Sequence, residues 1–288
     1  MIDTAKYGPW ALIAGGSEGV GAEFARLLAQ AGLNLVLVAR SAAALQQTAE
    51  QCRGNGAEVR TVQADLSASD ACTGIAKATS GLEVGLLILV AGANTHSYEF
   101  LDGDLAEFQR VINLNVSTPL ALVHHYGQPM RDRRRGGIVV LGSLAGYLGS
   151  ARHTVYGGVK AFTRIFGEGL WLELREHGVD VLDLVLGVTR TPAMERVGLN
   201  FDAPGVVVAE PADVAREGLE WLGRGPVHIV SGNEQIVATR NDPDRAMAVL
   251  GAHRAMQRLL NAERNSDDGG GTARGTGTAA APSAQADE

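Results

Sequence analysis

Ser143, Tyr156 and Lys160 are the residues of this 288-residue chain whose types and spacing best suit chemistry. Tyr156 and Lys160 lie four apart, one helical turn, so both side chains project from one face and can meet. An ammonium beside a phenol favours the phenolate, and the spacing therefore predicts a tyrosine pKa lowered toward working pH. Such a tyrosine can give a proton to a carbonyl oxygen or take one from an alcohol. Ser143 would offer a hydroxyl to the same oxygen and fix its position. The chain has three lysines among its 25 basic residues, so arginine is its ordinary surface cation. A lysine at 160 then suggests that a compact ammonium is needed there. A chance pair on a helix face is the bland alternative, and the surrounding elements decide between the two.

Those elements alternate. Trp10–Ala14 is a short apolar run that meets glycines at once, then continues as GAEFARLLAQAG. It reads as a strand, a tight turn and an amphipathic helix. Gly15, Gly19 and Gly21 would let the backbone approach a pyrophosphate at the helix N-terminus. The spacing is Gly-x-x-x-Gly-x-Gly rather than Gly-x-Gly-x-x-Gly, and its place between first strand and first helix gives it weight. A second strand, Leu33–Arg40, ends in Ala39 and Arg40, where a carboxylate would bind a ribose 2′-hydroxyl. An arginine there instead suits a 2′-phosphate, with Ser17 and Ser41 adding hydroxyls and Glu18 standing against it.

Further on, Ala42–Arg53 reads as a helix, Glu58–Gln63 as a strand, Ser69–Ser80 as a helix and Leu86–Ala91 as a buried strand. Asp65, past the third strand, is placed to meet an adenine amino group. Gly92, past the fourth, would let the backbone pass close to a ribose. A helix from Leu105 to Met130 carries Asn115 and, four residues on, Pro119. Proline has no N–H for the Asn115 carbonyl, so a kink is predicted and that carbonyl is left for another donor such as water. Gly137–Gly142 is a strand that delivers Ser143 at its C-terminal end, where open α/β sheets bind ligands. Val155–His177 is a helix with Val159, Phe162, Phe166, Leu170 and Leu174 as its buried stripe and Tyr156 and Lys160 away from most of it. After the strand Val179–Leu186, Thr191 is in reach of a carboxamide. An apolar loop at about 192–210, with Met194 and Val197, is expected to act as a substrate lid. A helix (Ala212–Gly223) and strand (Val227–Val230) close the sheet. Asp242–Ala262 is an amphipathic helix expected to pack on its own domain, and residues 265–288 should be disordered.

Composition excludes several classes. A net charge of −7 argues against general nucleic-acid affinity. The run RDRRRG (Arg131–Gly136) is expected to be a solvated helix end. No apolar stretch approaches a membrane span, and the expected location is cytoplasmic. Cys52 and Cys72 make no disulfide framework, and the scattered histidines make no metal site.

With these residues assembled, the chain resembles the short-chain dehydrogenase/reductase family over about residues 8–232. The residues that carry the resemblance are Gly15–Gly21, Asp65 with Leu66, Ala91–Gly92, Asn115, Ser143, Tyr156-x-x-x-Lys160, and Gly187 with Thr191, all in family order. The resemblance implies one Rossmann-type, doubly wound α/β domain (residues 1–232) with a seven-stranded parallel sheet of order 3-2-1-4-5-6-7, followed by an extension over 233–264. It implies an Asn115–Ser143–Tyr156–Lys160 tetrad and hydride transfer with a nicotinamide cofactor, NADP(H) in preference to NAD(H). It places that cofactor against Gly15, Ser17, Glu18, Gly19, Val20, Gly21, Arg40, Ser41, Asp65, Leu66, Ala91, Gly92, Ala93, Tyr156, Lys160, Gly187, Val188, Thr189 and Thr191. The substrate would meet Ser143, Ala145, His153, Tyr156, Met194 and Val197, and the apolar lid suggests a hydrophobic carbonyl or alcohol. A homodimer or homotetramer is implied by the family alone. Leu89-Val90 replaces a family Asn-Asn, Leu186 a proline and Ala14 a threonine, which touches cofactor affinity and not the tetrad. A non-catalytic nucleotide-binding scaffold, and an epimerase or dehydratase of the same fold, are the competing readings.

Overall fold

The computed structural model describes residues 2–196, 199–202 and 206–254. Its strands are β1 (Trp10–Ala14), β2 (Asn34–Ala39), β3 (Val59–Gln63), β4 (Val84–Leu89), β5 (Gly136–Ser143), β6 (Val179–Leu186), β7 (Val188–Thr189), β8 (Val208–Ala209) and β9 (Val227–Ile229). Seven of them form one sheet in the order β3-β2-β1-β4-β5-β6-β9, and every pairing is parallel. This is the expected order, with β9 in seventh place because the small pair β7–β8 intervenes.

The helices are α1 (Thr4–Tyr7), α2 (Gly19–Gln30), α3 (Ala42–Arg53), α4 (Ala71–Ala78), α5 (Leu105–Ile112), α6 (Thr118–Asp132), α7 (Thr154–Leu174), α8 (Pro192–Arg196), α9 (Pro211–Trp221) and α10 (Glu234–Arg240). The central strands are apolar throughout because helices cover both faces of the sheet. Ala11 and Ile13 of β1 point into a core layer with Phe24 and Leu28 of α2. Leu12 and Ala14 point the other way, toward Leu122 and Tyr126 of α6. The strand order reverses between β1 and β4, and the crevice outside the carboxyl ends of these strands is where such sheets take ligands.

Four expectations need correction. The long helix from Leu105 to Met130 is broken: a π-helical turn, Asn113–Ser117, separates α5 from α6, with the Thr118 N–H bonded to Asn113 O. A π turn inserts an extra residue, so Pro119 sits where its missing N–H is absorbed at the start of α6 and not at a simple kink. The RDRRRG run is not simply solvated. Arg133 reaches Val84 O at 2.5 Å, and Arg135 binds Glu83 at 2.5 Å and Ala5 O at 2.9 Å, so the cations tie the end of α6 to the start of β4. On α7, Phe162 is 39% exposed whereas Lys160 is only 5% exposed, because the helix turns Val159, Lys160, Thr163 and Gly167 toward the sheet.

The fourth correction concerns the C-terminal region. Residues 245–254 are helical, inside the predicted span, yet Met247 and Leu250 are exposed instead of packed on the domain. The remainder of that helix, the tail at 265–288 and Val197 lie outside the described residues. Val237 packs with Leu144, Tyr147 and Val185, and two arginines add bonds to the turn after β5: Arg240 Nη1 donates to Leu144 O at 2.5 Å and Arg245 Nη2 to Tyr147 O at 2.9 Å.

Candidate active site

Between β1 and α2 the glycines are there because nothing else fits. Gly15 has φ +97°, and a Cβ on it would stand 2.7 Å from Ala91 N. A Cβ on Gly21 would stand 1.9 Å from Gly15 O, far inside contact distance. The turn therefore packs directly on the residues that follow β4. Glu18 precedes α2 without capping it through its side chain, which leaves the first-turn amides, Val20 among them, directed at the crevice. Instead, Glu18 pairs with both terminal nitrogens of Arg196 on α8.

At the end of β2 the Arg40 side chain is exposed and, among the described residues, makes no hydrogen bond or ion pair. Ser41 caps α3 through Ala44 N at 3.2 Å, and the Ser17 carbonyl accepts from Thr48 Oγ1 at 2.9 Å. Asp65 is already engaged by the Ser67 N–H (3.0 Å) and hydroxyl (2.7 Å) and by Arg110 (3.2 Å). Leu66 beside it is buried in the core. Thr191 holds its hydroxyl against Met194 N at 3.3 Å and its methyl toward Gly19. Gly187 abuts Asn233, whose amide would collide with any Cβ there, and Val188 and Thr189 form β7.

Asn115, Ser143, Tyr156 and Lys160 come from three different elements. The π turn presents Asn115, which is buried; its Nδ2 donates to Val111 O (2.9 Å) and Ala93 O (3.3 Å). Its Oδ1 is buried without a partner. Lys160 Nζ donates to Leu141 O at 2.8 Å and lies 5.8 Å from the centre of the Tyr156 ring. A Cβ on Gly92 would stand 2.8 Å from both Asn115 Oδ1 and Lys160 Nζ, so these two polar groups converge on one glycine. Ser143 ends β5, with its Oγ accepting from Ala145 N at 3.1 Å. His153, at the start of α7, is exposed, its ring bonded to Ala151 O at 3.2 Å. Among the described residues no cluster of histidine, cysteine and carboxylate side chains is suited to a metal ion, and no helix is long and apolar enough to cross a membrane.

The electrostatics differ from the sequence-based expectation. Burial pushes the Tyr156 phenol up, not down, with the Ser143 hydroxyl partly offsetting it through hydrogen bonding. Lys160 does not lower it here because its ammonium faces the Leu141 carbonyl. Burial instead pushes Lys160 itself down to about 8, opposed by the charge of Asp183. Asp183, a fully buried carboxylate in β6, was missed. Its signal was present in the sequence as the one acid within the apolar run Val181–Leu186.

A family model described as short chain dehydrogenase matches residues 9–200. A 7beta-hydroxysteroid dehydrogenase of Clostridium sardiniense is 30% identical over 242 residues, spanning 83% of this chain and 92% of that protein. A very-long-chain 3-oxoacyl-CoA reductase of Podospora anserina is 35% identical over 198 residues, 67% of this chain and 58% of the reductase. A solved short-chain dehydrogenase from Sphingobium yanoikuyae, in complex with NADPH, superposes with a TM-score of 0.71 at 26% identity, covering 93% of this chain and 98% of its own. Fold, site geometry and these likenesses together place the chain in the short-chain dehydrogenase family, as an NAD(P)-dependent oxidoreductase acting on small-molecule carbonyls or alcohols.

Proposed function

We propose that the enzyme is an NADP(H)-dependent reductase of a hydrophobic ketone, or oxidase of the matching secondary alcohol, with Asn115, Ser143, Tyr156 and Lys160 as its working residues. The observation that carries this reading is the convergence of Lys160 Nζ and Asn115 Oδ1 on the bare Cα of Gly92. Two buried polar groups, one of them unpartnered, beside a glycine too crowded for a side chain make a cradle for a ribose. The glycine turn and the uncapped start of α2 suit a pyrophosphate, and the free Arg40 guanidinium suits a 2′-phosphate. The NADPH complex of the Sphingobium relative supports the same preference. A hydrophobic substrate is favoured by the lid, where Leu199 and Val207 are exposed, and by the steroid and very-long-chain acyl compounds in the relatives' names.

A bound nicotinamide would supply or accept the hydride. The protein's part is the proton. A phenol that burial keeps protonated is suited to donate to a carbonyl oxygen as negative charge develops on it. The Ser143 hydroxyl holds that oxygen in place. Lys160, whose ammonium rests on the Leu141 carbonyl 5.8 Å from the Tyr156 ring, turns to the phenolate only as that charge forms. Asn115 holds a position through which the proton is replaced from solvent.

A panel of ketones and secondary alcohols followed by NADPH absorbance tests the reading. Turnover by the parent is expected, with Tyr156→Phe reducing kcat by roughly 10²–10⁴ while NADPH binding survives. Arg40→Asp should move preference toward NADH. Unaltered activity in Tyr156→Phe removes the proton role, and an unaltered cofactor ratio removes Arg40 from the site.

A further inference from the structure

Asp183 has no part in the chemistry above, yet the structure makes room for it with some care. It occupies the middle of β6 at 0% exposure, and Leu182 and Leu184 on either side face the opposite core layer. Two glycines from different elements border it. A Cβ on Gly142 of β5 would lie 2.3 Å from its Oδ1, and one on Gly167 of α7 would lie 3.3 Å from its Cβ. Neither carboxylate oxygen completes a well-formed hydrogen bond, and a contact with the Gly142 backbone N–H is the smallest of the influences on its charge. A buried, unbonded carboxylate is costly unless a charge of opposite sign lies near it.

That charge comes from α7. Lys160, Arg164 and Glu168 are the charged groups of this helix that act on Asp183. Its register partners are apolar on both sides, Val227 from β9 and Val140 from β5. The Tyr147 phenol, after β5, also feels the carboxylate. Arg164 stacks 4.5 Å from the Tyr147 ring and also acts on Asp183, its Nε buried without a partner, but with less effect than Lys160. Glu168 has the wrong sign. Lys160 is the principal partner: its Nζ donates to Leu141 O at 2.8 Å, the next residue Gly142 packs on Asp183 Oδ1, and its charge acts on Asp183 more than that of Arg164 does.

We propose that Asp183 is a positioning residue for Lys160: a buried counter-charge that keeps the amine an ammonium where burial would strip its proton, and so sets how far into alkaline pH the enzyme works. The inference rests on Lys160 serving Tyr156 as described above. Burial holds the Asp183 carboxyl near 7, so the carboxylate is present over the range in which Lys160 loses its proton. Removing that charge disfavours the ammonium, and the Lys160 pKa falls further.

The test uses the full chain labelled with [13Cε]lysine. With only Lys6, Lys77 and Lys160 present, three signals appear and the lowest-titrating one belongs to Lys160. Asp183→Asn, which keeps the side chain's shape, should lower that titration by at least about half a pH unit. In the same variant the ratio of kcat/KM at pH 9 to that at pH 7 should drop about three-fold or more, since half a unit of pKa is a factor of about three. An unmoved lysine titration, or activity lost equally at both pH values, overturns the inference. Should Asp183→Asn fail to fold, Asp183→Ser removes the same charge at smaller volume, and the lysine signal is read there. A parent protein that turns over nothing in the panel counts against the proposed function, while the titration still decides on the counter-charge.

Discussion

The two ends of the site are held by different kinds of force. Around the glycine turn, backbone packs on backbone, Gly21 against Gly15 and Gly15 against Ala91, and Gly92 takes the side-chain ends of Asn115 and Lys160. Around the proposed lid and the C-terminal region one small apolar contact, Val237 with Leu144 and Val185, is joined by arginine bonds: Arg196 to Glu18, Arg190 to Glu210, Arg240 to Leu144 O and Arg245 to Tyr147 O. Close packing has no soft direction, because interiors are nearly as dense as crystals and transmit strain. Exposed ion pairs are worth about 0–1 kcal/mol each and are screened by salt. The end proposed to receive the cofactor is rigid, and the end proposed to admit and release substrate is only lightly latched.

The contrast is broken most severely at Gly21. Its added Cβ would meet a carbonyl, not the end of a movable side chain. Gly21→Ala should therefore cost about 3 kcal/mol or more, the upper range for overpacking, and abolish NADPH binding; urea unfolding and fluorescence titration measure the two. A variant as stable as its parent would show that the rigid end is not rigid. Arg240→Ala probes the latched end at its most buried point, where burial already lowers the guanidinium pKa. Losing the bond to Leu144 O, one residue past Ser143, should cost roughly 1–3 kcal/mol and lower kcat/KM together with stability. The smallest effect belongs to Arg196→Ala. It should leave the melting temperature within a degree or two, since the pair is exposed to solvent. A few-fold change in substrate KM, diminishing at 1 M salt, is expected instead. A large loss of stability there would erase the distinction between the two ends.

Much of this was legible in the sequence because it depends on local pattern. The apolar runs gave the strands nearly to the residue, Val179–Leu186 among them, since a strand buried on both faces has no polar position to obscure it. Glycines, Ser143, Asn115, Tyr156 and Lys160 were found by spacing along single elements. What escaped depends on which face of a helix meets the sheet. Lys160 was expected away from most of the buried stripe and is part of the buried face, because the small side of α7, with Thr163 and Gly167, is the side that fits over β5 and β6. The direction of the Tyr156 pKa was wrong for the same reason: spacing brought the amine near, but burial and the Leu141 carbonyl governed both groups. Asp183 and the arginine latches join residues 20 to 178 positions apart, beyond the reach of any periodicity.

The π turn at Asn113–Ser117 bears on how this chain tolerates change in length. Each residue advances a regular helix by about 100°, so excising a single amino acid from the turn would tighten it into ordinary helix and swing α5 about its own axis. Phe108 and Val111 would leave the interior, and the Asn115 amide would lose the Val111 and Ala93 carbonyls that hold it. Point substitutions in this stretch are a matter of degree. Its residue count is all or nothing.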